Sequence, residues 1–181
     1  MTIPEEALAV TRFWREAGPD KWFCKDEAFD RTFRETFSDL HWAAARRECE
    51  SWIDQPESAL ALFILLDQYP RNSFRNTGHM YATDPLALHY CHRALALGHH
   101  LAFESELRVF FYLPLVHSEV LADQEAAVKL SEPLGGLYLE SAVEHRDIIA
   151  RFGRFPHRNP ILGRDTTPEE QAFLDEGGFS G

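Results

Sequence analysis

The residues best suited to chemistry lie in one stretch of twenty, His145 to Arg164, HRDIIARFGRFPHRNPILGR. It holds five arginines (146, 151, 154, 158 and 164) and two histidines (145 and 157) against one acid, Asp147. Guanidinium groups grip carboxylate or phosphate through paired N–H donors, so such a cluster suits an anionic ligand. Arg154, His157 and Arg158 fall in a segment interrupted by Gly153 and Pro156, where structural duty is weaker and ligand contact commoner. The competing use is internal, with these arginines satisfying acids such as Asp67, Glu119 or Asp123.

Two histidines, one of them outside that stretch, bear on acid–base chemistry. His117 precedes Ser118 and Glu119, which explain themselves as a helix cap and a first-turn acid, whereas His117 suits a general base or a ligand. His145 shares a helix face with Tyr138, Ala142, Ile148, Ile149 and Phe152, where a hydrogen-bonded core histidine is the plain alternative. Asp147 and Arg151, four apart, are expected to pair on the helix surface. His89, Cys91 and His92 lack a third and fourth ligand, so no metal is expected, and no cofactor motif is present. The catalytic candidates are therefore His117, Glu119 and His145. The ligand-binding candidates are Asp67, Arg71, Arg75, Arg108, Asp123, Arg151, Arg154, His157 and Arg158. Asp67, Arg71, Glu119, Asp123, His145 and Arg154 are expected to converge, because each sits at or beside a helix end with a charge that needs a partner.

The elements that must position these residues are helical. Thr2 and Glu5 read as a capping box for a helix over 3–17, which Gly18-Pro19 stops. Asp26 opens a second helix with Phe29, Phe33, Phe37 and Leu40 on one face, with a break at Ser38-Asp39 as one option. Asp54 and Glu57 mark a third start. ALALFILL then has no polar face, which predicts a helix buried on every side with Phe63, Ile64 and Leu66 in the core. Pro70 disfavours helical geometry at Tyr69, so Asp67 and Gln68 are placed at a helix C-terminus, with Arg71 or Arg75 to balance the acid. Asp84-Pro85 starts the next helix and Gly98 ends it; another follows over 101–112 with Phe110 in the core, closed by Pro114. Ser118 caps a helix over 119–131, and a long one runs from 137 to 152, with Ile149 in the core, before Gly153. Thr167, Pro168 and Glu170 occupy the first positions of the last helix. No segment alternates with period two. The expected fold is one all-α domain over residues 1–181, built of antiparallel helix pairs.

Bulk properties narrow the classes. The chain has 181 residues, 45% of them hydrophobic, and a net charge of −11. That charge argues against nucleic acid or anionic membrane as partner. Three scattered cysteines, Cys24, Cys49 and Cys91, form no disulfide framework. Acids at Glu5 and Glu6 do not fit a signal peptide. The longest apolar run, eight residues from Ala59 to Leu66, is far short of the roughly 20 needed for a span. A cytoplasmic location is expected.

LLDQYPRNSFR (65–75), ATDPLAL (82–88), RVFFYLPLVHSEVLADQ (108–124), HRDIIARFGRFPHRNPILGR (145–164) and TPEEQAFL (167–174) resemble the bacterial family catalogued as domain of unknown function 924. Tyr69 and Val120 depart slightly from its pattern. The resemblance implies a compact, tetratricopeptide-like helical-repeat fold and brings no established activity. The function expected first is an interaction module whose groove takes an acidic peptide, a protein segment or a small anion. An enzyme acting on a small anionic substrate is the alternative, with His117 or His145 as acid–base and Arg154 and Arg158 as clamp.

Overall fold

The computed structural model describes residues 2–179, and among them every regular element is helical. The α-helices are α1 (Glu5–Ala17), α2 (Pro19–Trp22), α3 (Glu27–Ala45), α4 (Pro56–Phe63), α5 (Tyr69–Ser73) and α6 (Asp84–Ala96). They are followed by α7 (Ser105–Arg108), α8 (Leu113–Val116), α9 (Leu121–Ser131), α10 (Gly136–Phe152), α11 (Asn159–Leu162) and α12 (Pro168–Asp175). Lengths from four to 19 residues do not mark out a regular repeating unit. The chain forms two compact units, one comprising everything up to Arg75 plus His79–Pro114, the other Asn76–Gly78 plus everything from Leu115 onward.

The first unit is organised around α4. Ser58 through Phe63 are all buried, and so are the next five residues. A segment with no polar face has to satisfy its backbone within the fold. It does so unusually at its end, because Ile64–Gln68 form a π-turn. There the Tyr69 amide donates to Ile64, five residues back, instead of to Leu65. The Leu65 carbonyl is thereby released, and Nδ1 of His41 donates to it at 2.9 Å. Leu66 loses its amide donor for a second reason, since Pro70 has no N–H. The Thr83 hydroxyl replaces it at 2.5 Å, and Arg71 adds a donor to the Asp67 carbonyl at 2.9 Å. Tyr69 is thus helical (φ −54°, ψ −46°) despite the proline after it. The helix expected to end there continues into α5.

Around α4, α3 contributes an aromatic face. Phe13 stacks on Phe29 and Phe33, and Trp14 packs edge-on against Phe110. Phe63, Ile64, Leu66 and Phe110 are core as expected.

Several boundaries differ from the sequence reading. A proline disfavours helical geometry in the residue before it, and Ile3 stays outside α1, which starts at Glu5 after an extended Pro4 with no side-chain cap. Gln55 is extended before Pro56 in the same way, and the proline rather than Asp54 sets the start of α4. Glu57 instead accepts from Thr11 at 2.5 Å and from Arg15 at 2.8 Å. Asp26 caps α3 through the Ala28 and Phe29 amides, and no break occurs at Ser38-Asp39. The helix expected over 101–112 is split, because Phe103 and Glu104 are extended. The run Val109 to Tyr112 is buried throughout, and Pro114 lies inside α8 instead of ending a helix.

In the second unit α9 starts at Leu121, because Ser118 makes a turn of its own: it accepts from the Val120 amide at 3.2 Å and donates to Asp123 at 2.7 Å. Gly153, at φ 69°, ends α10 in the left-handed conformation. Ile148, Ile149 and Phe155 form the core there, with Phe152, Phe173 and Phe179 packed on it. Thr167 and Glu170 make the expected capping box of α12.

Two substitutions measure the α4 segment. Phe63→Ala removes a fully buried ring and should cost about 2–5 kcal/mol in chemical denaturation. Thr83→Val keeps the shape but strands the Leu66 carbonyl, and a loss of about 1–3 kcal/mol is expected. Wild-type stability in the valine variant would show that the π-turn does not need the hydroxyl.

Candidate functional site

In the first unit the π-turn brings Asp67 and Gln68 inward, both buried. Gln68 donates to Asp67 at 2.7 Å. Arg71 reaches the Asp67 carboxylate at 3.2 Å and grips Asp84 through two bonds of 2.8 and 3.0 Å. Burial alone would lower the Arg71 pKa, but the two carboxylates raise it, so the guanidinium stays charged. Arg75, the other partner considered for Asp67, binds Asp30 instead at 2.7 and 3.2 Å. Arg108 donates to the Phe103 carbonyl at 3.2 and 2.8 Å, tying off the break before α7.

In the second unit two imidazoles, His145 and His157, pack on Phe155, and a third, His117, lies beside His145. His145, on α10, donates from Nδ1 to the Ser141 carbonyl at 2.7 Å, so its neutral ring carries the lone pair on Nε2. Its ring centroid lies 6.3 Å from that of His117, 5.5 Å from Phe155 and 4.5 Å from Phe179. His157 sits 5.7 Å from Phe155 and 5.2 Å from Phe179. The Arg158 guanidinium lies over the Phe155 ring, 4.5 Å from its centroid.

Phe155 is outside any helix, yet both its backbone groups are held. Its amide donates to Glu119 at 2.8 Å, and its carbonyl accepts from Arg164 at 3.1 Å. Arg164 and Glu119 close the clamp on each other at 2.7 and 3.0 Å. Burial would raise the Glu119 pKa, but Arg164 and the Phe155 amide outweigh it and lower it. Glu119, a catalytic candidate on the sequence, therefore serves as a backbone anchor that fixes the direction of the His157–Arg158 segment.

Most of the other arginines of the stretch also meet carboxylates. Arg154 binds Glu170 at 2.6 and 2.8 Å and the Asp165 carbonyl at 2.8 Å. Glu170 is buried inside the α12 capping box, and Arg154 pulls its pKa down to about 2. Arg151 pairs with Glu169, and Arg146 takes Asp147. The expected Asp147–Arg151 pair is thus replaced: Arg151 lies on the Phe152 ring, 4.6 Å from its centroid, and faces α12. Of the residues expected to converge, Asp67 meets Arg71 in the first unit. In the second, Glu119 and His145 both contact Phe155, Arg154 is turned to Glu170, and Asp123 to Ser118.

Burial pushes the His157 pKa down to about 3, and the charges of Arg158, His145 and His117 act in the same direction. His157 is consequently neutral at pH 7 while sitting in positive potential.

Among known proteins, the model of a family described as a bacterial protein of unknown function, DUF924, matches residues 10–178. The chain belongs to this family. The DUF924 match takes in the π-turn, the clamp and the three histidines His117, His145 and His157. A solved structure of a protein of unknown function from Agrobacterium tumefaciens is similar, at 58% identity and a TM-score of 0.94. The likeness covers 96% of this chain and 98% of that one. No curated protein matches. No helix among the described residues is long and apolar enough to cross a membrane.

Two outcomes follow for this region. Because folding lowers the His157 pKa from 6.5 to about 3, the unfolded chain binds a proton there first. The stability this residue confers is then fully present above about pH 6.5 and declines as pH falls towards 3. His41, lowered to about 4 mainly by burial, acts in the same direction and window. Melting curves at pH 7.5 and 5 should therefore show a smaller acid loss in His157→Gln than in wild type. Arg154→Ala should lower the melting temperature by removing charge-assisted bonds to the buried Glu170, and by the same amount with or without added anion.

Proposed function

We propose that this DUF924 protein binds a small anionic ligand at the His117, His145 and His157 cluster of its second unit. The observation that carries the reading is the gathering of three imidazoles from separate parts of the chain: His145 and His157 pack on Phe155 beside the Arg158 guanidinium, and His117 neighbours His145. Burial, with neighbouring positive charge in second place, holds His157 neutral, and an arriving anion offsets that charge and favours proton uptake. The ligand would be read by imidazole N–H groups that strengthen as they protonate. Arg146, Arg151, Arg154 and Arg164 are engaged by carboxylates, which supports a bracing role for them and leaves recognition to the histidines. An acidic peptide carries the same carboxylate chemistry and is a larger form of the same ligand.

A second reading, an enzyme, is favoured by the His117–His145 neighbourhood. Nε2 of neutral His145 is a base, and a second imidazole 6.3 Å away between centroids suits proton exchange with a bound substrate.

The test is binding with proton linkage. Phosphate and succinate, titrated into the protein at pH 6 and pH 8 with histidine resonances followed by NMR, should raise the pKa values of the cluster. Binding should weaken up to about a hundredfold from pH 6 to pH 8 if one proton is taken up throughout, the equivalent of about 2.8 kcal/mol. In His145→Gln,His157→Gln this pH-dependent binding should vanish. If neither anion moves the histidine resonances at either pH, the proposal is wrong.

A further inference from the structure

A second recess, wholly within the first unit, has different chemistry. It is a cleft of about 340 Å³ lined by Lys25, Arg31, Arg34 and Arg75 with Asn72, Ser73, Glu27 and Asp30. Four cations against two carboxylates leave a positive excess, in a chain whose net charge is −11. Of the acids, Asp30 is already committed: Arg75 grips it with two bonds and Asn72 donates to it at 2.7 Å. This pairing fixes Arg75 and removes the charge of Asp30 from the cleft. Among the described residues, Lys25, Arg31 and Arg34 make no ion pair. Arg31 and Arg34 stand on α3, separated by just under one turn, so both guanidinium groups reach the same side of the helix. Ser73 is 7% exposed, and its Oγ has no hydrogen-bond partner among the described residues. A buried hydroxyl without a partner is costly and calls for an explanation.

We propose that this cleft binds the phosphate group of a small phosphorylated molecule. Phosphate carries close to two negative charges and three strong acceptor oxygens at neutral pH. Arg31, Arg34 and Lys25 supply charge and donors on the solvent side, and Ser73 forms part of the wall beside them, its hydroxyl reachable by a ligand once the side chain turns. The cleft lies near the lower end of the volume range of small-molecule sites, about 300–1,000 Å³, which leaves room for an organic group beside the phosphate. An extended polyanion is disfavoured because the rest of the surface is acidic.

The experiment is calorimetric titration at pH 8, where the proton-linked binding proposed for the other unit is weak. Inorganic phosphate and phenyl phosphate are the probes, against wild type, Arg31→Gln,Arg34→Gln, Ser73→Ala and the His145→Gln,His157→Gln variant. The arginines are exposed and outside any ion pair, so the double variant should melt with the wild type in the absence of ligand. Phosphate affinity should fall at least about tenfold in the arginine variant, as for losing a charge-assisted bond, and less in Ser73→Ala. The histidine variant should bind as wild type does. Tighter binding of phenyl phosphate than of phosphate supports an organic phosphomonoester; equal affinity overturns that part of the assignment. Binding unchanged in the arginine variant, or no heat with either probe at millimolar concentration, overturns the site.

Discussion

The carbonyl groups at the end of the buried α4 segment are the constraint on which the first unit depends. A π-turn releases the Leu65 oxygen, and a proline removes the donor due to Leu66. In an interior with no water to accept from, each oxygen needs a partner of its own. His41 comes from α3 and Thr83 from the turn before α6, so satisfying one segment's backbone also joins three helical elements. The same π-turn directs Asp67 and Gln68 into buried positions, where Arg71 can bridge Asp67 and Asp84. Backbone accounting and the charged network are one arrangement. The second unit solves a smaller version of the problem with side chains alone, through Glu119 and Arg164 around Phe155.

Much of the helical architecture is legible in the chain because it rests on local rules. Asp26, Gly153 and the Thr167–Glu170 box act at their own helix ends and need nothing distant. The buried character of 59–66 is equally plain, since no arrangement of ALALFILL presents a polar face. The failures are of two kinds. Proline outranked capping residues at Pro4 and Pro56, because its restriction on the preceding residue is steric while a cap contributes only about 1 kcal/mol. The π-turn was invisible for a different reason: its stability comes from His41 and Thr83, 24 and 17 residues away in sequence. The proline seen as an end to the helix is tolerated because those two residues remove its cost.

For the candidate sites, charge composition singled out one stretch but not the division of labour within it. Arg154, Arg164 and Arg151 find Glu170, Glu119 and Glu169, partners that no spacing rule connects. What the sequence could offer was the placement of His145 on the apolar face of α10, and its hydrogen bond to Ser141 and burial follow from that. The gathering of His117 and His157 beside it depends on how the chain turns after Gly153, which is set by the clamp on Phe155. The Lys25, Arg31 and Arg34 cleft went unremarked because these cations are dispersed among acids in sequence and separate from them only in space.

That clamp has a consequence for motion. A backbone amide outside regular structure ordinarily trades its hydrogen with water quickly, whereas the Phe155 N–H is shut against a carboxylate that Arg164 holds in place. Exchange at this one amide requires the clamp to open. Its rate therefore reads the free energy of a local opening at the centre of the histidine cluster, distinct from the global unfolding that frees the amides of α10. A single isolated proton becomes a gauge of how often the second unit loosens around its imidazoles.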